Sequence, residues 1–85
     1  MVHPDIVYIL RSQSQPHRWY SGITSDVVAR VAAHNRGESR HTAAGRPWTL
    51  VVSIAFASQK SAKAFEMYLK CGSGRAFAER HFRAD

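Results

Sequence analysis

The sequence is poor in cysteine, because Cys71 is its single thiol, so no disulfide bond can form within the chain. This usage fits a reducing compartment. No Cys/His cluster has the spacing of a zinc site. The chain also lacks an apolar run near the ~20 residues that a membrane span needs, and His3 and Asp5 lie where a signal peptide would be apolar. We therefore expect a soluble cytoplasmic protein that does not enter a membrane.

Acidic residues are scarce. Six Asp and Glu face twelve Lys and Arg, which gives a formal net charge of +6. Most of the cations are arginine, whose planar guanidinium can bind phosphate through two hydrogen bonds. This balance favours a polyanionic partner, above all nucleic acid. Composition alone leaves open a basic surface that binds nothing.

The chain of 85 residues, 45% of them apolar, is predicted to fold as one globular domain spanning residues 1–85. A core of this size is close to the lower limit for independent folding, so most apolar side chains must contribute to it.

Three stretches rich in β-branched and aromatic residues predict strands at residues 6–10, 19–23 and 48–56. The polar residues 11–18 join the first two as an antiparallel hairpin. Because the first strand is apolar on both faces, we expect it to be central. The continuous apolar run of the third strand predicts burial on both of its faces. Residues 38–47 between helix and strand are polar and basic and are predicted to be a loop.

Residues 24–26 carry a helix start signal, with Ser or Thr as the N-cap and Asp26 in the first turn. Gly37 is the expected C-terminal stop. The apolar face of this helix is predicted to consist of Val27, Val28 and Val31. Arg30 and His34, four residues apart, line up along one side of that face.

A second helix is predicted from a Ser58 cap to about Lys70. Its buried stripe is expected to consist of Ala62, Phe65 and Leu69, with Glu66 beside it. Residues 71–74 are predicted to break this helix. Residues 72–75 could instead form a phosphate-holding nest, but a plain helix stop is the favoured interpretation. A short third helix is expected over residues 75–82. The fold class is therefore α/β: a small three-stranded sheet with an antiparallel first hairpin, flanked by helices, in which the order and direction of the third strand remain open.

Each candidate for chemistry has a plain structural explanation when it is taken alone. Tyrosines on strands usually pack in a core, an arginine or histidine on a helix is usually solvated or satisfied locally, and a glutamate beside an apolar stripe usually pairs with a cation. The residues concerned are Tyr8, Tyr20, Arg30, His34 and Glu66, the last with Arg30 or Lys70 as its expected ion-pair partner.

The ordered set of motifs is more specific than its members, and it resembles the GIY-YIG nuclease domain. Ile6-Val7-Tyr8 matches the first signature and Tyr20-Ser21-Gly22 the second. The resemblance continues through Arg30 and His34-Asn35 and reaches Pro47-Trp48 and Ala64-Phe65-Glu66, so that it covers nearly the whole chain. Ile6 stands where the family has glycine, and Ser21 stands where it usually has an aliphatic residue. The chain is most similar to the small stand-alone bacterial members of this family.

The resemblance implies metal-dependent hydrolysis of phosphodiester bonds. Glu66 would hold Mg²⁺ or Mn²⁺, and Arg30 would stabilise the phosphate. Tyr8 and Tyr20 would activate or position water, with His34 as a second proton carrier. Which tyrosine takes the proton is left open.

The resemblance also implies a nucleic-acid partner, which we expect to be DNA, and a role such as DNA repair. A protein partner or a homodimer could supply specificity. The alternatives are a non-catalytic nucleic-acid-binding or interaction module and a scaffold with a vestigial motif. The side chains expected to bind backbone phosphates are Arg18, Arg36, Arg40, Arg46, Lys63, Lys70, Arg75 and Arg80.

Overall fold

A computed structural model describes residues 5–83, so His3 and the ends of the predicted 1–85 domain lie outside the described residues. Three strands and three helices follow one another in the order anticipated above. Their bounds are β1 at Asp5–Ser12, β2 at Trp19–Thr24, α1 at Val27–Asn35, β3 at Trp48–Phe56, α2 at Gln59–Tyr68 and α3 at Gly72–His81. A single 3-10 turn at Ala43–Gly45 interrupts the loop before β3.

The sheet has the strand order β2-β1-β3, and both pairings are antiparallel. This confirms the predicted α/β class and the first hairpin, and it supplies the position and direction of β3. β1 is the central strand, as expected, because residues 7–10 are buried on both faces of the sheet.

The prediction that β3 is buried on both faces is wrong. β3 is an edge strand, and Leu50 and Val51 are 38% and 37% exposed. Ile9 pairs with Val52 while Leu10 pairs with Leu50, so Val51 is an extra residue that forms a β-bulge. An apolar run predicts that a segment forms a strand, but it does not predict where that strand lies in the sheet. Within residues 5–83, β3 pairs with a strand on one side only.

The alternation of side chains along β1 builds two separate cores. Val7 and Ile9 point to the face covered by α2 and α3, where they pack with Ala62, Leu69 and Ala78. The other face holds Tyr8, Leu10 and Trp48, against which Tyr20, Val27 and Val31 pack. The polar candidates of α1 and those of α2 therefore start on opposite faces of one thin sheet.

Helix α1 differs from its prediction at two points. Its N-cap is Asp26, whose carboxylate accepts a hydrogen bond from the backbone N–H of Ala29, rather than a serine or threonine. Val28 is 78% exposed, so its predicted place on the buried face is wrong, and Val27 and Val31 contact the core without it. Gly37 ends the helix as predicted, with a φ of 79° that side-chain-bearing residues rarely adopt.

The junction between α2 and α3 is tighter than the sequence indicates. Ser58 caps α2 as predicted, but the chain breaks only over residues 69–71, and α3 begins at Gly72 instead of Arg75. Residues 72–74 therefore form a helical turn and not a phosphate-holding nest. A Cβ atom on Gly74 would lie 1.6 Å from the carbonyl oxygen of Tyr68, so the close approach of the two helices requires glycine there.

Within residues 5–83, none of the helices has both the length and the apolar character that crossing a membrane requires.

We expect Gly74→Ala to lower the free energy of unfolding by about 2 kcal/mol or more, because the added methyl group meets backbone that cannot yield. Gly72→Ala is the matched control, since nothing lies within 4 Å of its Cβ position. It should be neutral or stabilise the fold by up to about 1 kcal/mol. Urea unfolding followed by circular dichroism measures both, and equal stability of the two variants would contradict this packing.

Candidate active site

The candidate site is built around Tyr8 on the central strand. Its side chain is 1% exposed, and its hydroxyl lies 2.9 Å from Nε2 of His34, which is also 1% exposed. His34 is on the last turn of α1, so the hydrogen bond joins two elements that are 26 residues apart in the chain. The structure thus brings together two of the residues that the sequence singled out.

The other ring nitrogen of His34 is also engaged. Nδ1 lies 2.8 Å from Oγ1 of Thr42, and that hydroxyl in turn lies 3.5 Å from the backbone carbonyl oxygen of Ser39. Thr42 is buried although it belongs to the polar loop before β3. A buried polar side chain requires partners, and in this site each one has them.

Tyr20 closes the aromatic cluster from β2. Its ring centroid lies 6.3 Å from that of Tyr8 and 5.0 Å from that of His34. It is partly exposed, and it pairs across the strands with Leu10 rather than with Tyr8. The two predicted tyrosines are therefore diagonal neighbours on the same face of the sheet.

Gly22 makes room for the hydroxyl of Tyr8. The two residues face each other across β1 and β2, and a Cβ atom at position 22 would lie 2.6 Å from the hydroxyl oxygen. A side chain there would push the hydroxyl away from His34. The glycine of the second signature thus has a steric reason in this chain.

Arg30 brings positive charge to this cluster from the exposed side of α1. The positive charge of its guanidinium acts on the hydroxyl of Tyr8. Burial raises the pKa of Tyr8, and the nearby guanidinium of Arg30 lowers it only in part, so the net shift is upward. Tyr8 therefore keeps its proton at neutral pH.

His34 is neutral at the same pH. Burial lowers its pKa below the usual value, and the charge of Arg30 lowers it further. A neutral imidazole has one N–H donor and one acceptor nitrogen, which is the form that can take a proton from a neighbouring hydroxyl.

Glu66 approaches the cluster from the other layer. It lies on α2, is 8% exposed, and forms an ion pair of 2.5 Å with Lys70 one turn later. Its negative charge contributes to raising the pKa of Tyr8, which places the carboxylate within electrostatic reach of the hydroxyl. Helix α2 packs against both β1 and β2. The ion pair with Lys70 is one of the two expected from the sequence.

The donor set suits a cation that keeps most of its water. No group of three His, Cys, Asp or Glu side chains that could hold a metal occurs in residues 5–83. Mg²⁺ is commonly bound by one or two carboxylates with several waters, and the single buried carboxylate of Glu66 fits that pattern.

The predicted phosphate-binding cations fall into two groups. One lies near the end of α1 and the following loop, where Arg18 donates to the carbonyl of His41 and the guanidinium of Arg46 lies against Gly37. Arg36 in this group is partly neutralised by an ion pair with Glu38. The second group lies on α2, on α3 and in the junction between them. The first consists of Arg18, Arg36, Arg40 and Arg46, and the second of Lys63, Lys70, Arg75 and Arg80.

Sequence reasoning missed the role of the loop before β3. The side chain of Asn35 donates to the carbonyl of Trp48 over 3.1 Å and accepts from its backbone N–H over 2.6 Å. The indole N–H of Trp48 donates to the carbonyl of Thr42 over 2.7 Å. A tryptophan directly after a polar loop is a signal that the loop is anchored, but the partner of Thr42 is set by the tertiary fold.

An α/β fold with helices on both faces of the sheet, two strand tyrosines, a helical arginine and histidine, and a helical glutamate defines a known class of domain. The model of the GIY-YIG catalytic domain matches residues 4–78, and the chain belongs to this family. The resemblance read from the motifs is thereby confirmed.

Two relatives and one solved structure illustrate the similarity. The chain is 35% identical over 82 residues to "Structure-specific endonuclease subunit SLX1" of Malassezia globosa, covering 92% of this chain and 18% of that protein. It is 37% identical over 65 residues to "UPF0213 protein BH0048" of Halalkalibacterium halodurans, covering 75% and 67%. The solution NMR structure of BH0048 superimposes with a TM-score of 0.55 at 32% identity, covering 91% of this chain and 81% of that one. The chain thus spans less than a fifth of this SLX1 relative.

We expect Arg30→Gln to raise the pKa of His34, because the substitution removes a nearby positive charge that disfavours the imidazolium. The pKa should stay below the usual value of about 6.5, since burial is the larger cause. A ¹H NMR titration of the histidine ring measures it. Arg36→Gln, at the exposed end of the same helix, is the matched control and should leave His34 unchanged. Equal pKa values of His34 in wild type and Arg30→Gln would refute this electrostatic contact.

Proposed function

We propose that the protein is a metal-dependent endonuclease that hydrolyses phosphodiester bonds in DNA. The observation that supports this most is the buried contact between Tyr8 and His34, with the charge of Arg30 acting on both. A structural core would not need a tyrosine hydroxyl, a neutral imidazole and a guanidinium to converge. The family, and the endonuclease named among the relatives, agree with this proposal.

The geometry suggests how water would be activated. Tyr8 holds its proton too firmly to act as a free tyrosinate. It can accept a proton from the attacking water if its own proton moves to Nε2 of His34 at the same time, over the 2.9 Å that separates them. The water oxygen then bonds to phosphorus as the P–O ester bond to the leaving oxygen breaks. The leaving oxygen takes a proton from solvent, and the proton that left Tyr8 resides on His34. Tyr20 lines the same cluster and would position the water or the phosphate.

Arg30 would bind the non-bridging oxygens of the phosphate. Its side chain is exposed on the outer side of the cluster, where a phosphate from solvent can reach it. A guanidinium matches the phosphate oxygens with two parallel hydrogen bonds. Negative charge grows on these oxygens during attack, so the contact stabilises the transition state more than the ground state.

Glu66 would hold the cation. When bound, Mg²⁺ or Mn²⁺ polarises the phosphate and stabilises the leaving oxygen. Because Lys70 now neutralises this carboxylate, the ammonium group must move aside for the metal to bind. The exposed cations of both groups would bind the backbone phosphates on either side of the scissile bond, through contacts that do not depend on sequence.

Nuclease activity should fall when the two central functional groups are removed with little change in side-chain shape. Tyr8→Phe removes the proton carrier and Glu66→Gln removes the metal ligand, and each should lower the rate at least about 100-fold. Cleavage is measured with Mg²⁺ or Mn²⁺ on linear, branched and single-stranded DNA, after circular dichroism has shown that the variants are folded.

Tyr68→Phe and Glu79→Gln make the same chemical changes at exposed positions on α2 and α3 and should cut at the wild-type rate. Cutting by folded Tyr8→Phe at the control rate would refute the assigned site. Binding of DNA without any cleavage by wild type would favour the non-catalytic module.

The competition between Lys70 and the cation can be tested without an activity assay. Lys70→Gln should tighten Mn²⁺ binding, measured by electron paramagnetic resonance, since the carboxylate is no longer neutralised. Because Lys70 is 56% exposed, solvent screens its charge, and the gain should be less than about fivefold. Lys63→Gln, on α2 with Glu66, is the control. Unchanged affinity in Lys70→Gln, or wild-type affinity in Glu66→Gln, would place the metal elsewhere.

A further inference from the structure

We propose that Thr42 is a positioning residue that fixes the tautomer of His34, keeping the proton on Nδ1 and leaving Nε2 free to accept from Tyr8. Its consequence for catalysis rests on the proposed nuclease function, whereas the tautomer itself does not. Thr42 lies on the far side of the imidazole from Tyr8, so it acts through His34.

Both ring nitrogens of His34 are committed to buried partners. Nε2 lies 2.9 Å from the hydroxyl of Tyr8, and Nδ1 lies 2.8 Å from the hydroxyl of Thr42. A hydroxyl can donate or accept, so two opposite arrangements of protons satisfy the pair of contacts. The group beyond the hydroxyl of Thr42 decides between them.

On one side, the hydroxyl of Tyr8 does not impose a direction by itself. It can donate to Nε2 of His34 or accept from it over the same 2.9 Å. Tyr8 therefore follows whichever tautomer the other side of the imidazole selects.

On the other side, the partner of Thr42 beyond His34 is the carbonyl oxygen of Ser39, 3.5 Å away. A carbonyl only accepts, so the proton of Thr42 points to Ser39 and its lone pairs face His34. Nδ1 must then be the donor. Nε2 then carries no proton and accepts from Tyr8, so the donors run from Tyr8 to His34, from His34 to Thr42 and from Thr42 to Ser39.

The loop holds Thr42 firmly enough for this role. Its carbonyl accepts from the indole of Trp48 over 2.7 Å, and the backbone of Trp48 is held by two hydrogen bonds to Asn35, the residue after His34. The hydroxyl of Thr42 is therefore positioned relative to the same helix turn that carries the imidazole.

The tautomer is read directly by ¹H–¹⁵N correlation spectra of protein labelled with ¹⁵N-histidine. Wild type should show His34 protonated on Nδ1. Thr42→Val keeps the shape of the side chain but removes the acceptor, so it should move His34 toward the Nε2–H form. Thr42→Ser restores the hydroxyl and should restore the wild-type spectrum.

Thr49→Val makes the same change on the exposed side of β3 and should alter nothing at His34. The inference is overturned if wild type carries the proton on Nε2, or if folded Thr42→Val keeps it on Nδ1. In the cleavage assay, Thr42→Val should lose about tenfold or more in kcat with KM little changed, and Thr42→Ser should recover it.

The two proposals fail separately. The expected tautomers without any cleavage by wild type would support the role of Thr42 at His34 and refute the nuclease function. Cleavage by wild type with the proton on Nε2 would do the reverse.

Discussion

The hydrogen bond between the hydroxyl of Tyr8 and the imidazole of His34 is the interaction on which the site depends. It joins the middle of the sheet to the last turn of α1 through two side chains that are each only 1% exposed. For the bond to form, β1 must be central, Gly22 must lack a side chain, and the loop carrying Thr42 must fold back over the helix. These polar contacts therefore occupy much of one of the two cores of this small domain.

Burial and charge oppose each other at this bond, and burial dominates. A tyrosine and a histidine in the interior both resist ionisation, so each remains neutral despite the nearby guanidinium of Arg30. A pair of neutral groups joined by a hydrogen bond is suited to passing a proton along rather than to storing charge. The carboxylate of Glu66 comes from α2, on the opposite face of the sheet from α1, and its charge still acts on the hydroxyl of Tyr8. Its ion-pair partner among the described contacts is Lys70 and not Arg30.

The sequence allowed the elements and the central residues to be predicted because local signals and burial pointed the same way. Residues 6–10 are apolar on both faces and do form the middle of the sheet, and Ser58 and Gly37 act as helix boundaries through local backbone chemistry. The place of β3 could not be predicted in this way. Its apolar run has the composition of a buried strand, but its exposure depends on which strand it pairs with.

The candidate site, like the fold, could be predicted in part from the sequence. Tyr8, Tyr20, Arg30, His34 and Glu66 were found because motif order carries information that single residues lack. Thr42 was not found, because a threonine in a polar loop looks the same whether it faces solvent or a buried imidazole. Its function depends on a contact eight residues back along the chain, created by the fold of the loop.

The β-bulge at Val51 affects how readily this protein can aggregate through the edge of its sheet. β3 runs for nine residues at the rim of the sheet without a charged side chain or a proline, which is the kind of edge that recruits further strands. An extra residue in mid-strand breaks the regular spacing of donors and acceptors and twists the rim. The bulge therefore shortens the regular edge with which a strand of a second molecule could pair. It disfavours edge-to-edge aggregation of a sheet whose edge strand carries no charge.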